Sequence, residues 1–146
     1  MLADLIRRLA GPPSREALAP EDARLAFAAL MVRLARSDGS YATEEQRRID
    51  ALLSAHYGLG PADAAGVRGE AEVAEARAQD TVQFTRLIKQ SVPYEQRTGI
   101  VETLWRVAVA DGVNADERGV MRLVADLLGV ADQDSALARQ RALRTE

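Results

Sequence analysis

The chain has 146 residues, of which 47% are hydrophobic, 28% charged and only 4% aromatic, with a formal net charge of −3 at pH 7. The absence of cysteine excludes disulfides, thiolate nucleophiles, iron–sulfur clusters and cysteine-ligated zinc. A single histidine, His56, excludes a two-histidine metal site within one chain. The acidic balance argues against a nucleic-acid binder, whose footprint is a basic face. The length supports one hydrophobic core, and an alanine-rich, aromatic-poor composition favours helices over sheets.

Residues 1–10 (MLADLIRRLA) are amphipathic, but Asp4, Arg7 and Arg8 break the apolar run that a signal peptide requires. They are expected to form a helix packed on the body, with a peripheral membrane or partner contact as the alternative. Residues 11–19 (GPPSREALA) read as a linker. No stretch approaches the roughly 18 apolar residues of a membrane span, so no integral membrane protein is expected and the address is read as cytoplasmic.

From residue 20 onward one unit is written twice. Ala19–Gly39 aligns without a gap on Val92–Gly112, pairing Pro20 with Pro93, Arg24 with Arg97, Arg33 with Arg106, and Asp38-Gly39 with Asp111-Gly112. Beyond the Asp-Gly, Thr43 aligns with Asn114, Leu52 with Leu123, and Gly58-Leu59 with Gly129-Val130, so the second loop is two residues shorter. Each unit opens with a helix carrying Pro in its first turn. Leu25, Phe27, Leu30, Met31 and Leu34 in one, and Ile100, Val101, Leu104, Trp105 and Ala108 in the other, give broad apolar faces at helical spacing. These two helices should be the most buried. Asp-Gly ends each, because Gly readily adopts the left-handed conformation past a helix terminus.

The next helix is expected to start at a capping box, with Thr43 as cap and Gln46 reaching back, mirrored by Asn114 and Glu117. Gly58 and Gly129 should end these helices. Third helices open near Pro61 and Asp63, and near Asp132 or Asp134, while Asp80–Val92 reads as a short helix between the units. Gly66 and Gly69 weaken the third helix, and close helix packing would account for them. The reading is an all-α, compact bundle of seven or eight short helices. It comprises an N-terminal helix and linker, 1–19, and one domain, 20–146, with repeat units 20–79 and 92–146.

The duplicated Asp-Gly corners carry the chemistry. An Asp beside a helix C-terminus faces the negative end of the dipole, which is locally unfavourable and invites an explanation when it occurs twice. One reading is a turn in which Asp accepts nearby backbone amides. A second is a hard divalent cation, Ca²⁺ or Mg²⁺, held by carboxylates and carbonyls. A third is an acidic partner surface. Neither loop has the ligand order of an EF-hand.

The residues Ala35-Arg36-Ser37-Asp38-Gly39 with Glu44-Glu45, and Leu104 to Gly112 with Glu117, resemble the TerB-like family, named for tellurite resistance. The likeness covers roughly residues 20–142. It implies an all-helical, non-enzymatic module in a stress or tellurite-resistance context, with metal binding through Asp38, Glu45, Asp111 and Glu117. Asp38 and Glu45 are seven positions apart, whereas Asp111 and Glu117 are six, a departure within the second unit. The alternative function is a protein–protein interaction or homodimerisation module without metal, the partner being a protein or a second copy.

The remaining candidates have bland readings. His56 falls on the apolar phase of its helix and reads as structural. Trp105 reads as core. Arg33 and Arg106, one turn before each Asp-Gly, read as solvated cations near helix C-termini, or as partners of an acid in the opposite loop. Arg47-Arg48 and Arg139-Arg141-Arg144 read as solvated faces. No serine has a recognisable His and acid spacing, and no phosphate loop is present, so no enzyme is expected.

Overall fold

The computed structural model describes residues 20–37, 39, 41–109 and 115–144, with side chains from residue 22 in the first segment and from residue 118 in the last. The described residues form seven helices and no strand. They are α1 Pro20–Arg36, α2 Thr43–Tyr57, α3 Pro61–Arg77, α4 Val82–Ser91, α5 Tyr94–Ala108, α6 Ala115–Leu127 and α7 Asp132–Arg144. The all-α class and the helix count agree with the sequence pattern. The expected helix within residues 1–10 lies outside the described residues.

α1 is the hub, contacting α2, α3, α4, α5 and α6. Its sequence explains this: Ala26, Phe27, Ala28, Ala29, Leu30, Met31 and Val32 run together with no polar break, and all are buried. Alanines let neighbouring helices approach, while Phe27, Leu30, Met31 and Leu34 fill the space between them. Each such large side chain contributes about 1.5–3 kcal/mol on burial. α5 is the second core helix, burying Ile100, Val101, Leu104 and Trp105. Trp105 is 8% exposed, with Nε1 donating to Ser135 Oγ at 3.3 Å and the Arg139 guanidinium 5.3 Å from its ring.

Local punctuation repeats between the halves. Gly58 and Gly129 follow α2 and α6 with φ of 67° and 71°, the left-handed conformation that glycine adopts without a Cβ penalty. Leu59 N–H donates to Ser54 O at 3.2 Å, and Val130 N–H to Ala125 O at 3.0 Å, the same six-residue closure. α3 begins at Pro61 and α7 at Asp132, keeping the register of Gly58 and Gly129. Between the halves, α4 begins where the Asp80 carboxylate accepts the Val82 N–H at 3.0 Å. It then turns Phe84, Leu87 and Ile88 into the core.

Two expectations need correction. A Cβ placed on Gly66 or Gly69 would meet nothing within 4 Å, so close helix packing does not explain these glycines. The cap of α2 is Ala42, one residue earlier than expected, and Thr43 is the first helical residue. Alanine offers no side-chain acceptor, so only half of a capping box forms: Glu45, not Gln46, reaches back to the Ala42 N–H at 3.3 Å. Glu45 sits at the third helical position, from which a side chain reaches the cap amide, whereas Gln46 has moved past it.

Candidate functional site

The first corner is built on the end of α1. Ser37 Oγ and N–H both donate to Leu34 O, at 2.7 and 3.2 Å, closing the last turn. Gly39 adopts φ 83° and donates its N–H to Arg36 O at 3.0 Å, which turns the chain back toward α2. The first turn of α2 carries Glu44 and Glu45, suited to the positive end of its dipole.

The arginines before this corner are not solvated. Arg33 Nε donates to Glu75 Oε2 at 3.1 Å, and its Nη2 to Glu75 O and Ala78 O at 3.3 and 3.0 Å. Arg36 Nη1 takes the other oxygen of the same carboxylate, Oε1, at 2.6 Å. Arg33 thereby caps the C-terminus of α3, taking the Ala78 carbonyl and sharing the Glu75 carbonyl with the Ala78 N–H. This corrects the expectation of a solvated cation, and its acid is Glu75 on α3, not an acid of the opposite corner.

A second polar chain ties the corner to α3. Arg36 lies 4.8 Å from the centre of the Tyr41 ring. Tyr41 donates its hydroxyl to Glu72 Oε2 at 2.7 Å, and Arg68 bridges Glu72 at 3.0 Å and Asp50 at 2.6 Å. Burial first, and then the Glu72 carboxylate, push the Tyr41 phenol above its ordinary value. The hydrogen bond that Arg68 donates to Asp50 raises its pKa further, keeping it charged.

The second corner follows α5. Its last turn closes with Val109 N–H donating to Trp105 O at 2.8 Å. Arg106 pairs with Glu102 at 3.4 Å within its own helix, and Glu102 also accepts from Arg141 of α7. Arg48, in the second turn of α2, donates Nε to Arg106 O at 3.1 Å. That bond joins the helix leaving the first corner to the helix entering the second, so the flanks of both corners lie side by side. Arg48 is therefore held and half-buried, where the sequence suggested a solvated face, whereas Arg139, Arg141 and Arg144 are exposed as expected, with Arg141 paired to Glu102 and Arg139 stacked on Trp105.

Of the four expected metal ligands, only Glu45 has a described side chain. Asp38 and Asp111 lie outside the described residues, as does the side chain of Glu117 in α6. Among the described residues no group of three or more His, Asp or Glu side chains could hold a metal ion. Sequence reasoning missed Glu75, Glu72 and Tyr41. Arg68 and Glu72 stand four apart on one helix face, a readable spacing, but nothing local marks Glu75 as the partner of two arginines on α1.

His56 stands at the end of α2 with its ring edge-on to Phe27, centroids 5.1 Å apart, and against Tyr57 at 4.7 Å. Burial lowers its pKa below the usual 6.5. Burial also pushes the Tyr57 phenol up to about 12, opposed by the charge of Arg24. This cluster packs; it presents no acid or nucleophile beside the imidazole among the described residues.

The fold and its flanking residues define an all-α module in which two helix–corner–helix turns are held together by a helix-to-helix arginine bond. The family model described as Tellurite resistance protein TerB matches residues 24–140, and the chain belongs to the TerB family. No curated protein and no solved structure matches it significantly. No described helix is long and apolar enough to cross a membrane.

Proposed function

We propose that residues 20–146 act as one non-catalytic TerB domain, made of units 20–79 and 92–146, that holds a hard divalent cation at its Asp-Gly corners. The ligands are Asp38, Glu45, Asp111 and Glu117, the ion is Ca²⁺ or Mg²⁺, and the setting is a cytoplasmic stress or tellurite-resistance system. The observation that carries this reading is where the neighbouring cations go. Among the described residues, Arg33 and Arg36 pair with Glu75 and Arg106 pairs with Glu102, acids of the helices and not of the corners. Carboxylate and carbonyl oxygens are the donor set that hard cations take.

Calorimetry and thermal unfolding with millimolar Ca²⁺ and Mg²⁺ test this. Saturation at a hundred times Kd adds about 2.7 kcal/mol, a rise of roughly 5–10 °C for a domain of this size. Combined Asp38→Asn and Asp111→Asn should abolish it. No heat and no rise, or an equal rise in the variant, removes the metal reading. A second reading, an interaction or homodimerisation module, is favoured by three large apolar side chains left outside: Leu123, Leu137 and Leu143, at 50%, 44% and 52% exposure. Sedimentation as a strict monomer at high concentration counts against the homodimer.

A further inference from the structure

The two halves differ at one equivalent place. In the second, Tyr94 begins α5 and lies against the connection from α6 to α7. Its ring centre is 5.4 Å from the Arg97 guanidinium. Its hydroxyl donates to Asp134 Oδ2 at 2.5 Å and accepts the Ala131 N–H at 3.1 Å. Arg97 Nη1 itself donates to Leu128 O at 2.7 Å. One phenol thus engages a cation, a first-turn carboxylate and the amide at the start of a helix.

The same three partners recur in the first half. Arg97 corresponds to Arg24, Asp134 to Asp63 and Ala131 to Gly60, but Glu21 stands at the position of Tyr94 and Gly66 at that of Leu137. Among the described residues, Arg24, the Asp63 carboxylate and the Gly60 N–H make no hydrogen bond or ion pair. The corner glycines differ likewise. A Cβ on Gly129 would meet Arg97 Nη1 at 3.3 Å and Lys89 Cε at 3.4 Å, whereas a Cβ on Gly58 would meet nothing within 4 Å. Among the described residues, what is filled in one half is open in the other. Arg24, Leu59, Asp63, Gly66 and Val67 line a groove of about 300 Å³ there, at the small end of ligand-site volumes.

We infer that this groove docks a tyrosine side chain presented by a partner protein, in the manner of Tyr94 in the second half. The phenol ring lies over the aliphatic floor of Leu59 and Val67 beneath Arg24. Its hydroxyl donates to Asp63 and accepts the Gly60 N–H. No resident side chain supplies that phenol. Residues 1–19 contain no aromatic residue. Tyr41 is bound to Glu72, Tyr57 packs on Phe27 and His56, and Tyr94 holds Asp134. Glu70, which replaces Arg141, joins Asp63 on the groove wall and sets two negative charges against one positive. A phosphorylated tyrosine is therefore rejected. The inference is independent of metal binding.

The test is titration of the ¹⁵N-labelled full chain with N-acetyl-tyrosinamide, read at the Gly58, Gly60 and Gly66 amides. Saturable shifts are expected there in the millimolar range. N-acetyl-phenylalaninamide should bind about tenfold more weakly, having lost the hydroxyl contacts. Phosphotyrosine should give no shift. Glu21→Tyr places in the groove the phenol that the second half carries, and should abolish binding with helicity retained; Asp63→Ala should weaken it. Absence of shifts at saturating probe, equal binding of the phenylalanine analogue, or binding undiminished in folded Glu21→Tyr overturns the proposal. Shifts of these amides on dilution without probe would identify a second copy as the occupant and overturn it equally.

Discussion

Gly58 and Gly129 share a backbone conformation but not a neighbourhood, so the same substitution has different consequences. Gly58→Ala meets only the left-handed strain, about 1–2 kcal/mol. Gly129→Ala adds a contact with Arg97, whose guanidinium is already holding Leu128 O, and should cost more. Urea unfolding of the two variants measures the difference. Gly69 makes the opposite case: it lies within a helix, has a negative φ and leaves space for a Cβ. Gly69→Ala should raise stability by about 0.5–1 kcal/mol in the same experiment. For His56, burial favours the neutral ring in the folded chain. The unfolded chain therefore binds more protons once the pH falls below 6.5. The contribution of His56 is complete above that value and is lost as the pH falls toward the lower, folded pKa. Unfolding measured between about pH 7 and 5 should show this loss, and His56→Gln should flatten it.

At the scale of the element, the end of α3 depends on Glu75. Its carboxylate, 12% exposed, holds Arg33 and Arg36, and Arg33 in turn caps the helix carbonyls. Glu75→Ala leaves a half-buried guanidinium without its acid and should destabilise by about 2–3 kcal/mol in urea unfolding. Helix ends were readable where backbone chemistry alone decides them: Gly58 and Gly129 mark left-handed exits that few other residues take. The start of α2 was misread by one residue because Thr43 is a good cap by composition. The chain instead uses the Ala42 carbonyl for the first helical bonds, and Glu45 for the amide. The partner of Arg33 was not readable at all, since a salt bridge between α1 and α3 depends on how two helices pack and leaves no local spacing.

At the scale of the whole molecule, hydrophobic periodicity made the fold legible. The unbroken apolar run from Ala26 to Val32 identifies a helix surrounded by others, and α1 is that helix. Phe27→Ala should cost about 3–5 kcal/mol, measured by thermal or urea unfolding, because the space it leaves is walled by several elements that cannot all collapse into it. The candidate site was legible only as residue types. Acids beside Asp-Gly name a chemistry, but Arg48 reaching Arg106 O, which sets the flanks of the corners side by side, involves residues 58 positions apart. The open groove was hidden for another reason. It is a difference between two copies, visible only when Tyr94 is seen in place and its counterpart is found unfilled.

The hub position of α1 also sets the order in which the molecule comes apart. Five helices rest on it, so no small fluctuation bares its amides; only release of most of the packing does. In deuterated water the protons of Phe27 to Val32 should be the last to leave, at a rate that reports total unfolding, while the distal turns of α7 give theirs up early. A chain severed between α3 and α4 would strand that central rod with half its neighbours, and the fragments should regain helical structure only when mixed.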